Sequence, residues 1–372
     1  MADHDGGPRV NLPLTIPDLP PSIPDLAGQV LTVTGPVDPS ALGPTLMHEH
    51  LFVDLRRPAH ALRPGEDSPQ AREPLTLANL ARTRHGAVNA DNDVLADFDE
   101  MLAEVGEFRR AGGGTVVEVT SLGIGRDPGS LRRMSRASGL HIVMGAGWYT
   151  PTFHPPDLGE RTVDDLTAVI VRDIVDGADG TGVRAGIIGE VGAESAPLTP
   201  GELKSVRAAG RASRVTGAPI TFHVGGVGEE KFTVLDILDE EGVDPSNVVL
   251  GHAGTMAVDL PFARRVLARG VFIEFDFLAS PGSPWGHLVL LGDHKVARGI
   301  ADLVEDGYSG QILLGHDVCQ KIQLKRYGGQ GYSYIPDHFL PALRRLGVAD
   351  EAVHKIMVDN PARALTFTTP AP

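Results

Sequence analysis

The chain contains a single cysteine, Cys319, among 372 residues, which excludes a fold held together by internal disulfide bonds. Its first residues, Met1 to Asp5, are polar and acidic, and no apolar segment of a signal peptide follows them. No run of about 18 apolar residues is present that could span a membrane. The sequence therefore predicts a cytoplasmic protein without a membrane segment.

Positive charge is also scarce. The chain has 33 Lys and Arg against 48 Asp and Glu, so its formal net charge is -15, and no basic stripe occurs. Proteins that bind nucleic acids need Lys and Arg to displace counterions from the phosphate backbone. The composition therefore argues against a nucleic-acid partner. A small-molecule substrate is expected instead, and a homodimer is left open.

The chain does have enough apolar residues, 42%, to bury a sizeable core. From Thr45 onward, short apolar or β-branched runs alternate with amphipathic segments of helical period. The predicted strands are residues 45–53, 115–120, 141–147, 185–191, 219–223, 248–251, 271–275 and 312–314. The predicted helices are residues 94–111, 129–138, 163–176, 200–216, 230–241, 257–269, 294–305 and 336–346, with a last helix near 350–364.

Strand–helix units in strict order predict a parallel sheet, and eight such units are the number that closes a barrel. An open doubly wound sheet is the alternative, but no G-x-G-x-x-G motif follows the first strand. We therefore predict an α/β fold, a (β/α)8 TIM barrel over residues 28–368. The proline-rich residues 1–27 are expected to form an extended N-terminal arm. The long loop insertion after the first strand, residues 56–91, is expected to cover the site.

Side chains that bind metals end five of the predicted strands. In a barrel of this kind the active site lies at the C-terminal ends of the strands, so these side chains are expected to meet. The six candidate ligands are His48, His50, Glu190, His223, His252 and Asp317. A lone histidine at a strand end is more often a hydrogen-bonded structural residue. Buried carboxylates, however, need a cation, and two divalent cations would satisfy all six side chains.

The charges favour two divalent ions over one. Two such ions contribute four positive charges, and Glu190, Asp317 and a bridging hydroxide remove three, so the centre can polarise a carbonyl or phosphoryl oxygen. We expect His48, His50 and Asp317 to hold one ion, His223 and His252 the other, and Glu190 to bridge both. Asp317 is also the candidate catalytic residue, because it can take the proton as the hydroxide attacks.

Four sequence motifs resemble known proteins. Residues 43–50 (GPTLMHEH) resemble the first signature of the phosphotriesterase family of the amidohydrolase superfamily, and the similarity runs from about residue 29 to 368. Residues 186–192 (GIIGEVG), 123–127 (GIGRD) and 325–334 (KRYGGQGYSY) resemble its phosphotriesterase-related protein subgroup. The resemblance implies a barrel with a binuclear site, usually containing zinc, with Mn²⁺, Co²⁺ or Fe²⁺ as alternatives. It also implies hydrolysis of an ester, lactone, amide or phosphoester bond.

Two departures from that family bear on the substrate. Phosphotriesterases bridge their metals with a carboxylated lysine where this chain has Glu190, and either group supplies one negative charge and two oxygens. The positions that match their proton-relay histidine and second aspartate are Phe277 and Thr255. We therefore expect a hydrolase of an ester, lactone or amide. Organophosphate triester hydrolysis is the first alternative. A non-catalytic small-molecule-binding barrel is the second, although no ligand is missing.

Five further residues are candidates for substrate contact from their position alone. Trp148 and Tyr149 follow the third strand and could form the wall of an apolar pocket, or they could simply pack under the insertion. Lys325, Arg326 and Tyr327 lie in the loop after the eighth strand, where they could hold an anionic group or form a solvated basic pair.

Overall fold

Eight parallel strands form one sheet in which each strand pairs with the next in chain order. The structure is a computed structural model, and it describes residues 16, 19–20, 22–224, 228–279, 284–285 and 288–371. The strands are β1 Thr45–Glu49, β2 Thr115–Glu118, β3 His141–Ala146, β4 Ile187–Gly192, β5 Ile220–His223, β6 Val248–Leu250, β7 Phe272–Phe275 and β8 Ile312–Leu314. Asp317 N donates to His48 O (3.0 Å) and His50 N to Val318 O (3.2 Å), which joins the ends of β1 and β8. The predicted (β/α)8 barrel is confirmed.

A helix follows each strand of the barrel, and one more lies in the insertion after β1. The described residues contain α1 Leu77–Arg84, α2 Phe98–Arg110, α3 Pro128–Ser138, α4 Val163–Val175, α5 Pro200–Thr216, α6 Glu230–Glu240, α7 Leu260–Leu267, α8 Asp293–Glu305, α9 Leu340–Arg345, α10 Asp350–His354 and α11 Asn360–Leu365. Asp127 caps α3 by accepting a hydrogen bond from Ser130 N (2.9 Å). Among the described residues, no helix combines the length and the apolar character needed to cross a membrane.

The boundaries predicted around the first strand are wrong. That strand was expected to continue to residue 53 but ends at Glu49, because the carboxylate of Glu118 accepts the amide of Leu51 (3.1 Å) in place of a neighbouring strand. The chain then forms a short strand, Val53–Asp54, that pairs with Val94–Leu95 in an antiparallel ribbon. The helix predicted from residue 94 therefore begins only at Phe98.

Two later helices also differ from prediction. The segment 257–269 begins its α-helix only at Leu260, because Asp259 caps it by accepting from Phe262 N, and a 3-10 helix, Ala253–Ala257, precedes it. The segment 336–346 consists of a π-helical turn, Ile335–Phe339, that continues into α9.

The insertion 56–91 lies over the C-terminal ends of the strands. It contains the short 3-10 helix Ala59–Ala61 and α1, and Lys321 Nζ ties its end to the loop after β8 by a 2.6 Å ion pair with Asp91. The predicted arm, 1–27, falls largely outside the described residues. Of its described part, Ile16 and Leu26 are buried in the main hydrophobic core.

The carboxyl group of Asp93, two residues after the insertion, predicts a measurable dependence of stability on pH. Burial raises the pKa of Asp93 from 3.8 to about 6, although Gln320 Nε2 donates to it at 2.8 Å. The folded state therefore binds this proton more tightly than the unfolded state, and stability falls as pH rises from about 4 to about 6. We expect Asp93→Asn to raise the free energy of unfolding at pH 7 by up to about 3 kcal/mol, at 1.36 kcal/mol per pKa unit.

Urea unfolding at pH 7 and near pH 4 would measure this effect, with metal content held equal. Asp91→Asn is the matched control, because it loses the ion pair with Lys321 and should lower stability at pH 7. A gain for Asp93→Asn that is the same at both pH values would contradict the prediction.

Candidate metal centre

The carboxylate of Glu190, on β4, lies at the middle of four histidines. Its Oε2 is 3.2 Å from His48 Nε2, 3.0 Å from His223 Nδ1 and 3.6 Å from His252 Nε2. Its Oε1 is 3.3 Å from His50 Nε2. Oε2 thus faces His48, His223 and His252, and Oε1 faces His50, so this one carboxylate lies between histidines from β1 and histidines from β5 and the end of β6.

Asp317, in the segment after β8, completes the set. Its Oδ1 lies 3.2 Å from His50 Nε2, so it joins the group that contains His48 and His50. The structure therefore brings all six predicted ligands together at the barrel mouth. The ligand atoms of Glu190, His48 and His50 lie within 4.8 Å of one another, and so do those of Glu190, His223 and His252.

The backbone around these ligands adopts conformations that ordinary residues avoid. Gly189, just before Glu190, has φ +125°, and a Cβ there would approach Thr221 O to 2.2 Å, so only glycine allows β4 to lie this close to β5. His252 and Asp317 adopt left-handed conformations, with φ 55° and 51°. Such strain in non-glycine residues clusters at functional sites, where the surrounding structure holds it in place.

Two carboxylates on β7 and directly after it orient the rings of His48 and His252. Asp276 Oδ1 lies 3.0 Å from His252 Nδ1, and its Oδ2 accepts His252 N at 2.8 Å. The same Oδ2 is 3.3 Å from His48 Nδ1, and Glu274 Oε2 is 3.5 Å from that atom. One nitrogen of each ring is thus engaged from behind, which leaves Nε2 pointing to the centre.

His50 and His223 have comparable partners. His50 Nδ1 is 2.8 Å from Thr120 Oγ1, whose hydroxyl donates to Glu118 Oε1 at 2.5 Å. His223 Nε2 faces Glu194 Oε2 at 3.8 Å. Sequence reasoning missed these supporting groups, as it did Glu274. The signal that could have found Glu118 and Glu274 is an acidic residue inside a strand that is otherwise apolar.

The carboxylates of this cluster favour positive charge on the groups next to them. Burial disfavours the charged ring of His50, but Asp317 and Glu190 outweigh it and raise its pKa to about 9. For His252, Asp276 outweighs burial and raises the pKa to about 10. Burial alone would raise the pKa of Glu190, yet His48 and His223 hold it well below its usual range.

These residues fit divalent cations. Although His48 Nδ1 lies 3.3 Å from Asp276 and 3.5 Å from Glu274, neither ring nitrogen of His48 has hydrogen-bond geometry with a described residue, and the same holds for both carboxylate oxygens of Glu274. A donor set of imidazole nitrogens and carboxylate oxygens suits Zn²⁺ and related transition metals. Cations between the two ligand groups would replace the protons that the imidazoles otherwise need.

A cavity of about 620 Å³ opens onto this cluster, and both His223 and His252 line it. The insertion contributes Arg57, Arg63, Glu66 and residues 86–89 to its wall, and the loops after β7 and β8 contribute Leu278, Leu291 and Gln320. Phe277 and Thr255 line it as well, and the ring of Phe277 stacks on His252 with centroids 4.4 Å apart and an interplanar angle of 8°.

The five candidate substrate contacts lie in different places. Tyr149 lines the cavity with its ring centroid 4.8 Å from that of His223, whereas its neighbour Trp148 is fully buried and outside the cavity wall. The three loop residues, Lys325, Arg326 and Tyr327, also lie outside the wall. Lys325 Nζ donates to Ser333, Arg326 Nε pairs with Glu100 at 3.1 Å, and Tyr327 OH donates to Glu100 at 3.5 Å.

The chain is similar to known proteins over nearly its whole length. Residues 28–365 match the model of the phosphotriesterase family. The chain is 36% identical over 349 residues to the N-acetyltaurine hydrolase of Tetraodon nigroviridis, covering 92% of this chain and 99% of that protein. A resiniferatoxin-binding protein of Rhodobacter sphaeroides superposes with a TM-score of 0.87 at 39% identity, over 94% of this chain and 98% of that one. A lactonase of Listeria monocytogenes superposes with a TM-score of 0.75 at 26% identity, over 91% of this chain and 99% of that one.

Proposed function

Because the chain belongs to the phosphotriesterase family and is a hydrolase, we propose that it cleaves an ester, lactone or amide bond of a small molecule at a centre of two divalent metal ions. The observation that carries this proposal is the position of Glu190, whose carboxylate contacts His48 and His50 from β1 as well as His223 from β5. Zinc is the proposed metal. Two such ions would polarise the substrate carbonyl and lower the pKa of a water molecule between them.

The residues of the chain then supply proton transfer and orientation. Asp317, held beside His50, accepts the proton of the attacking water and can return it to the leaving group. Tyr149 supplies a neutral O–H donor at the cavity wall, because burial and the nearby charge of Glu190 raise its pKa well above the usual range. A donor directed at the carbonyl oxygen stabilises the negative charge that develops there.

The cavity favours an acyl substrate of modest size. Its volume of about 620 Å³ lies within the range of pockets that enclose small ligands. Phe277 places an apolar ring against His252, and this ring cannot transfer a proton as a histidine would. Since relatives of the chain are named N-acetyltaurine hydrolases, we propose N-acyl amino compounds as the first substrates to test.

A panel of substrates assayed with the metal-loaded enzyme tests this proposal. We expect hydrolysis of one or more of N-acetyltaurine, N-acyl amino acids, lactones and carboxyl esters, and slower turnover of a paraoxon-like phosphotriester. For the acyl substrate, Tyr149→Phe should lower kcat by ~10–100-fold through loss of one donor. Tyr308→Phe, outside the cavity, is the matched control.

Two outcomes would overturn the proposal. A phosphotriester turned over faster than every acyl compound would favour the organophosphate alternative. Binding of these compounds without turnover of any, at full metal content, would identify a non-catalytic barrel.

A further inference from the structure

The middle residue of the His48-Glu49-His50 segment makes contacts that the proposed chemistry does not use. Glu49 is completely buried, and its side chain points away from the two histidines. Its Oε1 accepts His316 N at 2.9 Å and lies 2.6 Å from His316 Nδ1, and its Oε2 accepts Val318 N at 3.1 Å. One carboxylate thus binds the backbone amides on both sides of Asp317.

Asp317 needs such support because its own backbone is strained. Its φ of 51° lies in the left-handed region, which is unfavourable for a residue other than glycine. Asp317 N donates to His48 O at 3.0 Å, and Gln323 Nε2 donates to Asp317 O at 2.8 Å. Together with Glu49, these bonds fix the peptide groups before and after the aspartate.

The loop of residues 325–334 supports the same arrangement from the other side. Ile335 N, directly after this loop, donates to His316 Nε2 at 3.1 Å, so Nδ1 carries the proton that His316 donates to Glu49. Tyr332 OH donates to His50 O at 2.6 Å. The loop and the residue after it therefore hold the end of β1 and His316.

We propose that Glu49 is a positioning residue that acts through Asp317. By fixing His316 and the two amides around Asp317, it holds the aspartate carboxylate beside His50, where the ligand and the proton acceptor are needed. This inference rests on the proposed function, since it assigns Glu49 a role only if Asp317 has one.

A double-mutant cycle of Glu49→Gln and Asp317→Asn tests the inference. Glutamine has the shape of Glu49, but its NH₂ group would face an N–H group of His316 or Val318. Both groups are hydrogen-bond donors, so that hydrogen bond is lost. We expect E49Q to lower kcat by ~10–100-fold with KM nearly unchanged. The affinity of the metal-free protein for the metal should fall by about the same factor, because a ligand loses the group that orients it. D317N should lower kcat further. The double variant should be no slower than D317N within about twofold, because both changes remove the same interaction.

The absorption spectrum of the Co²⁺-loaded protein gives a second readout, because it responds to the ligand geometry, and E49Q should shift it toward the spectrum of D317N. If E49Q does not fold, His316→Asn removes the ring while leaving both amide bonds, and the same cycle applies. Glu351→Gln and His354→Asn, on the exposed face of α10, are the matched controls.

The outcomes separate the two claims. Additive effects of E49Q and D317N, or an unchanged spectrum, would show that Glu49 acts elsewhere and overturn the inference alone. Full activity of D317N would instead remove the role of Asp317 and with it the proposed mechanism.

Discussion

Replacing Glu190 with glutamine is expected to lower kcat by about 10³-fold or more, because metal catalysis supplies several kcal/mol and 1.36 kcal/mol corresponds to a factor of ten. The carboxylate lies within 3.3 Å of His48, His50 and His223. Glutamine would keep the shape of the side chain but lose its charge and one acceptor. Steady-state kinetics and metal analysis by mass spectrometry after dialysis would measure both losses.

The matched control is a buried glutamate outside the set of candidate ligands. Glu202 is fully buried and accepts hydrogen bonds from Glu194 N, Ser195 N and Thr199 N, which caps α5 and fixes the loop after β4. We expect Glu202→Gln to lower the free energy of unfolding while the protein retains its metal. If Glu190→Gln kept two equivalents of metal and most of its turnover, Glu190 would not bridge two ions.

The candidate ligands could be predicted from the sequence because a barrel brings together residues that are far apart in the chain when they lie at the carboxyl ends of its strands. His48 and Asp317 are far apart in the chain, but each lies at the carboxyl end of a strand or just after it, and the eight strands close. Successive side chains of a strand point to opposite faces, which predicted His48 and His50 on one face of β1 and Glu49 on the other. In the structure the two histidines contact Glu190, and Glu49 contacts His316.

The supporting residues could not be predicted in the same way. Thr120 supports His50, and Asp276 supports both His48 and His252, but these pairings depend on side-chain rotamers and on the approach of neighbouring strands. The loop of residues 325–334 shows the same limit, because its composition left open whether it forms an anion site or a solvated basic pair. Its Lys325 bonds to Ser333 and its Tyr332 to the backbone of His50, contacts that only the folded chain defines.

Removing the metal by prolonged chelation is expected to abolish turnover and to lower the thermal midpoint of unfolding. A ligand present at about 1,000 times its Kd stabilises the folded state by about 4 kcal/mol, and this term disappears with the metal. The carboxylates of Glu190 and Asp317 then depend for positive charge on protonated rings such as His50, whose pKa rises to about 9. Activity, metal content and the thermal midpoint should be followed on the same samples.

Zn²⁺, Mn²⁺ or Co²⁺ should restore both activity and the thermal midpoint, with saturation at two equivalents per chain, because all three accept imidazole and carboxylate ligands. Mg²⁺ should restore neither, since it prefers an octahedral set of oxygen ligands and the centre offers the imidazoles of His48, His50, His223 and His252. The prediction separates a catalytic metal from a structural one. Metal-free protein that unfolds earlier yet keeps full turnover would show that the ions only stabilise the barrel, and the hydrolytic mechanism would then have to rest on the side chains alone.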